Sequence, residues 1–135
     1  MYPEWETIIC HLPQISSSQI DLGGTSMNYS ALIQNRKSVR EFTDKKVTTA
    51  ALAEIESYYQ KSCQRLIPEP ETKLCVFDTE AKEALEGAAG YESFLVGAPN
   101  YLVLLSAKDP LAGENAGFMM EDMVLKLTDM ELGCC

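Results

Sequence analysis

From Met27 onward the apolar positions fall into a few regular stretches. Leu52, Ile55, Tyr59, Cys63 and Leu66 recur at spacings of three and four, which predicts a helix over about residues 49–66. Thr48 stands where an N-cap is needed, and Val47 and Leu52 are placed as a hydrophobic staple. A second long helix is predicted over about 113–132, where Ala116, Met120, Met123, Leu127 and Met130 alternate threes and fours. Met119 and Val124 widen its apolar face, Glu121, Asp122 and Asp129 read as solvated charge, and Gly133 reads as its terminator. Between the helices, Lys73-Leu74-Cys75-Val76-Phe77 predicts a short strand. Tyr101-Leu102-Val103-Leu104-Leu105 is an unbroken apolar run, as in a strand buried on both faces.

The connections are legible from their breakers. Residues 28–35 predict a short helix capped by Asn28 or Ser30, with Leu32 and Ile33 as its apolar side. Pro68-Glu69-Pro70-Glu71 interrupts the chain, residues 79–86 suggest a helical turn, and Gly87, Gly90 and Gly97 form a flexible link into Pro99. Asp109-Pro110 turns the chain before the last helix. Tyr58 and Tyr59 can line a ligand, and the methionines of the last helix can form a hydrophobic groove, but on helical stripes both sets read as core.

Residues 1–26 differ from the rest. Ser16-Ser17-Ser18 and Gly23-Gly24-Thr25-Ser26 show no period and little core material. A Gly-Gly pair shortly before Met27 also matches a purine-rich ribosome-binding run read as codons. The expectation is a poorly structured extension over 1–26, with translation starting at Met27 or with an ordinary N-terminal arm, and a domain over 27–135. Only two strands are clear, and an isolated two-stranded sheet is marginal in water. A domain that ends on an apolar Cys pair while its last helix still needs a cover predicts a missing C-terminal part, or sheet borrowed from a partner.

Composition narrows the class. A chain of 135 residues with 46% hydrophobic content and a mean hydropathy of −0.10 predicts one globular domain. No apolar run approaches a membrane span, and the N-terminus has neither the basic nor the apolar region of a signal peptide, so the expectation is cytoplasmic, without a membrane partner. Five Cys in odd number, without a CxxC, argue against a disulfide framework, and with His11 as the single His they argue against a zinc site. The terminal Cys134-Cys135 does not make a lipidation signal, because a helical pattern runs straight into it.

Charge changes the picture more. The chain carries −9, yet residues 36–46 hold five of its eleven cations (Arg36, Lys37, Arg40, Lys45, Lys46) and only two acids (Glu41, Asp44). A local +3 on an acidic chain suits a small anion, and it argues against nucleic acid, which requires a broad positive field. If Asn35-Arg36-Lys37-Ser38-Val39-Arg40-Glu41-Phe42 is extended, Arg36, Ser38 and Arg40 share a side over roughly 13 Å. If it is helical, only Arg36 and Arg40 face together. A solvated basic turn is the plainer reading of the same residues. There is no P-loop, no GxGxxG, no EF-hand spacing and no His partner for a Ser or Cys nucleophile within 27–135. An enzyme of this sequence therefore needs a cofactor to carry its chemistry.

Three blocks in order bear a resemblance. Ser30-Ala31-Leu32-Ile33-Gln34-Asn35-Arg36-Lys37-Ser38-Val39-Arg40-Glu41-Phe42 resembles the opening helix and R-x-S-x-R-x-F signature of the flavin-dependent nitroreductase family. Gly97-Ala98-Pro99 before an apolar strand is similar to the family's Ala-Pro, and Gly113 through Cys135 resembles its long central helix running into a glycine-containing turn. The resemblance covers about residues 28–135 and implies an α+β fold, with a mainly antiparallel central sheet flanked by helices and incomplete in this chain. It implies FMN as cofactor, NAD(P)H and a small-molecule acceptor such as a nitro-aromatic or quinone as partners, and a homodimer with the flavin at the subunit interface. Arg36, Lys37 and Ser38 match positions that hold the FMN phosphate and ribityl chain, and Arg40 matches one near the flavin pyrimidine edge; no catalytic side chain and no metal are implied. Two departures stand out. Residues 63–71 lack the Ser/Asn-rich loop with Gln-Pro of many members, and their Leu66-Ile67-Pro68-Glu69-Pro70 is similar to a divergent branch. The family also continues past the position of Cys135. The alternatives are a non-catalytic flavin or small-anion binding module, an inactive fragment, and an acidic domain acting through protein contacts.

Overall fold

The computed structural model describes residues 5–12, 27–88 and 95–135. Its centre is β3 (Asn100–Ala107), which pairs antiparallel with β1 (Trp5–Leu12) on one side and β2 (Thr72–Asp78) on the other. The register sets Leu74 opposite Leu104 and Asp78 opposite Asn100, with Leu12 opposite Asn100 on the other edge. The apolar run of the sequence is thus the middle strand, where both edges are hydrogen-bonded and both faces are covered.

Strand alternation divides the core in two. Leu102 and Leu104 of β3, with Leu74 of β2, pack on one face against Ile55 and Tyr59 of α2 (Thr49–Lys61) and against Met119, Met123 and Leu127 of α4 (Ala112–Asp129). Tyr101 and Val103 point to the other face, where Leu85 of α3 (Lys82–Ala88), Leu95 and Ala98 form a second cluster. A 3-10 turn, Thr79–Ala81, leads into α3. The antiparallel sheet with flanking helices is the α+β class expected from the sequence.

Helix ends follow their local chemistry. The Thr48 hydroxyl accepts from Ala51 N at 3.2 Å to open α2, and Val47 beside it is buried. Asn28, rather than Ser30, caps α1 (Tyr29–Asn35), accepting from Ala31 N at 3.1 Å. Helix α2 stops at Lys61 instead of running to 66, and Leu66 at the end of the predicted stripe is exposed. The predicted terminator of α4 was Gly133, but the left-handed residue is Glu131, with φ of 58°. Glu131 N bonds to Thr128 O and Leu132 N to Leu127 O, with Leu127 and Leu132 both buried, which is a Schellman ending.

Two expectations change at the N-terminus. Residues 5–12 were expected to lack structure and instead form β1; residues 13–26 lie outside the described part, as does most of the glycine link at 89–94. The sheet that two strands left marginal gains a third strand from the same chain.

Candidate functional site

The basic segment leaves α1 and runs extended. Arg36, the C-cap, adopts φ −62° and ψ 134°, and no helix follows. Of the two geometries open from sequence, the extended one is realised. Three attachments hold the segment to the body. Ser38 forms a parallel bridge with Cys134, with Val39 N donating to Cys134 O at 2.9 Å. Phe42 packs against the second core cluster. Val47 N donates to the buried Asn100 Oδ1 at 2.8 Å, and Asn100 Nδ2 also reaches Phe77 O.

The segment's side chains are not equivalent. Lys37, Ser38 and Arg40 are exposed. Arg36 is one-third exposed, and its Nε lies 3.8 Å from Glu121 Oε1 of α4. Lys46 is tied to Asp78 at 3.3 Å. The Glu80 amide, and then the Lys46 ammonium, hold the Asp78 carboxyl below the ordinary carboxylate range. The island of five cations therefore includes one committed to structure. Its other end, from Arg36 to Arg40, offers two guanidinium groups, an ammonium and a hydroxyl along one extended stretch. That donor set has the chemistry of a phosphate site.

Asp122 is the residue that sequence reasoning placed wrongly. It was read as solvated charge, and it is buried. Its carboxylate accepts from Tyr29 OH at 2.9 Å, from Tyr58 OH at 2.8 Å and from Gln64 N at 2.9 Å. Three donors compensate the burial of the charge. Seven residues earlier, the fully buried Asn115 Oδ1 accepts from Leu66 N at 2.9 Å and Ile67 N at 3.2 Å. Two side chains on one edge of α4 thus supply the acceptors for the loop after α2, where the chain has left the helix at Lys61. Asn115, Met119 and Asp122 share a 4-3 spacing, so polar residues on the apolar stripe were the available signal.

The same cluster sets local acidities. Burial pushes the Tyr58 hydroxyl up, with its bonds to Tyr29 and Asp122 acting in the same direction. At Tyr29 the Tyr58 contact works downward, but burial and the Asp122 carboxylate together outweigh it and the hydroxyl is also raised. Burial, reinforced by the Asp122 charge and partly offset by Arg65, pushes the Cys63 thiol up to about 12. A thiol held protonated is a poor nucleophile. Cys63, Cys75 and Cys135 are free, whereas Cys134 is disulfide-bonded, a bond the cysteine count did not suggest. Among the described residues no group of His, Cys, Asp and Glu could hold a metal ion.

A groove of about 450 Å³ opens where the basic segment ends, between Phe42, Lys46, Lys82, Ala98, Pro99 and Tyr101. Gly97-Ala98-Pro99 thus forms part of a wall, and a Cβ at Gly97 would meet nothing within 4 Å. No helix of the described residues is long and apolar enough to cross a membrane.

Residues 28–135 match the family model described as "Putative TM nitroreductase". The chain belongs to that nitroreductase family, a membership that points to oxidoreductase chemistry, and its α+β architecture is consistent with part of a nitroreductase-like fold. No curated protein and no solved structure matches the chain.

Proposed function

We propose that this nitroreductase-family chain is an FMN-dependent oxidoreductase that takes hydride from NAD(P)H and passes reducing equivalents to a nitro-aromatic, quinone or similar acceptor, acting as a homodimer. The observation that carries this reading is the extended stretch after α1 that exposes Lys37, Ser38 and Arg40, within a chain of that family. Arg36, Lys37 and Ser38 supply charged and hydroxyl donors suited to the FMN phosphate and ribityl chain. Arg40 supplies a fixed positive charge for the flavin's pyrimidine edge, where negative charge develops on reduction. Bound FMN would supply the hydride chemistry itself.

The test is a visible spectrum of the purified chain after incubation with FMN and removal of excess. Retained yellow colour that bleaches anaerobically with NAD(P)H is the expected result. Colour that resists bleaching would assign a binding module instead, and a colourless protein would remove the flavin reading altogether. Arg36→Ala should weaken FMN binding by about 1.5–3 kcal/mol, the usual worth of a hydrogen bond to a charged group. An unchanged affinity would refute the phosphate role of Arg36.

A further inference from the structure

Helix α1 is held to the body in an unusual way. It has seven residues, none of them buried, and Ile33 on its apolar side is 62% exposed. A helix this short has little stability of its own. It lies against α4, and its ends are tied to two consecutive acids there. At the start, Tyr29 OH donates to the buried Asp122 at 2.9 Å. At the end, Arg36 Nε faces the exposed Glu121 at 3.8 Å. The two acids differ in kind. Asp122 is anchored from three sides, so it can fix what it touches. Glu121 is 61% exposed and its contact is long, so it is a weak and replaceable partner.

We propose that these adjacent acids set the position and the availability of Arg36. Asp122, through Tyr29, orients α1 and the basic segment that follows it, and Glu121 occupies the guanidinium as an internal stand-in for the ligand's anion. The proposal rests on the phosphate role assigned to Arg36 above. An incoming phosphate would displace the Glu121 carboxylate, because it offers more acceptor oxygens and more charge to the same fork of donors. Asp122 and Glu121 are positioning and competing residues, and neither need touch the cofactor. Removing their contacts should therefore change affinity in opposite directions, which loss of structure alone cannot do.

The test measures the affinity of the full chain for FMN and for inorganic phosphate in the parent protein, Tyr29→Phe and Glu121→Gln, with Arg36→Ala as reference. Tyr29→Phe removes one hydroxyl from a partly exposed ring and leaves Asp122 its bonds from Tyr58 and Gln64, so the fold is kept. It should bind both probes roughly fivefold more weakly, the effect of one lost hydrogen bond. Glu121→Gln should bind both up to about fivefold more tightly, and that gain should shrink as salt is raised, because an exposed pair is screened. Unchanged affinity in both variants, with FMN still bound and Arg36→Ala still impaired, overturns the latch and leaves the flavin reading standing. Binding of phosphate but not FMN, with the opposite shifts intact, sustains the latch and overturns the flavin reading. Binding of neither probe overturns both.

Discussion

Helix α4 meets the rest of the chain on two sides, and they work by different physics. Toward β3 and the Ile55 and Tyr59 stripe of α2 it presents Met119, Met123 and Leu127, all buried, and the contact is held by apolar area and close packing, with the Tyr58–Asp122 bond and the Lys126–Glu54 ion pair at its edge. Toward α1 and the loop after α2 it presents Asn115, Glu121 and Asp122, and the contact is held by single hydrogen bonds and one long ion pair. The first side tolerates exchange among apolar residues of similar volume. The second depends on named atoms, since each acceptor serves particular donors that have no substitute once buried. Arg36, at the head of the candidate cofactor segment, is held from the second side, so its position is more sensitive to polar changes on α4 than to changes in the core.

The comparison can be broken most severely from the apolar side. Leu127→Ala should cost about 2–5 kcal/mol of stability in denaturant unfolding, because it leaves a cavity beneath the Schellman turn. While the protein remains folded, affinity for FMN should change little. A large loss of affinity in folded protein would show that the two sides are not separable. Asn115→Ala should cost less, about 1–3 kcal/mol, and its signature should be local. The Leu66 and Ile67 amides would exchange faster, whereas Asn115→Asp would keep their acceptor and their protection. Equal exchange in all three proteins would mean that the loop does not rely on α4.

The smallest effect is one of pH. The folded chain keeps the Cys63 proton up to about 12, whereas an unperturbed thiol gives it up near 9.0. The native state therefore binds more protons between those values. The stability linked to that thiol is fully present below about 9 and declines as pH rises toward 12, and the raised Tyr58 hydroxyl acts in the same sense. The urea midpoint should fall over this range, and Cys63 should resist alkylation near neutral pH until the chain is unfolded. A midpoint that climbs, or rapid alkylation of the native chain, would contradict the burial of this thiol beside Asp122.

Much of the fold could be read from residue spacing. Both long helices, the strand around Leu74, the doubly buried run from Tyr101 to Leu105 and the Thr48 cap follow from period and local chemistry. Three features were misplaced for physical reasons. Residues 5–12 become a strand through pairing with β3, and nothing in a short stretch reports its future neighbour. Helix α2 ends early, and its exit loop bonds instead to Asp122 and Asn115, which lie 58 and 49 residues beyond their donors Gln64 and Leu66. Asp122 looks like surface charge by residue type, and only its three donors make burial possible.

For the candidate site, the sequence by itself determined which groups are available: Arg36, Lys37, Ser38 and Arg40 on one stretch of an otherwise acidic chain. Spacing and charge are local properties, so a stretch carries them whatever it packs against. Only the tertiary structure decided how those groups are presented. It made the segment extended through the Ser38–Cys134 bridge, committed Lys46 to Asp78, set Arg36 against Glu121 and tied α1 to Asp122. Each of these joins residues far apart in the chain, and such pairings are chosen by the packed whole and not by any single stretch of sequence.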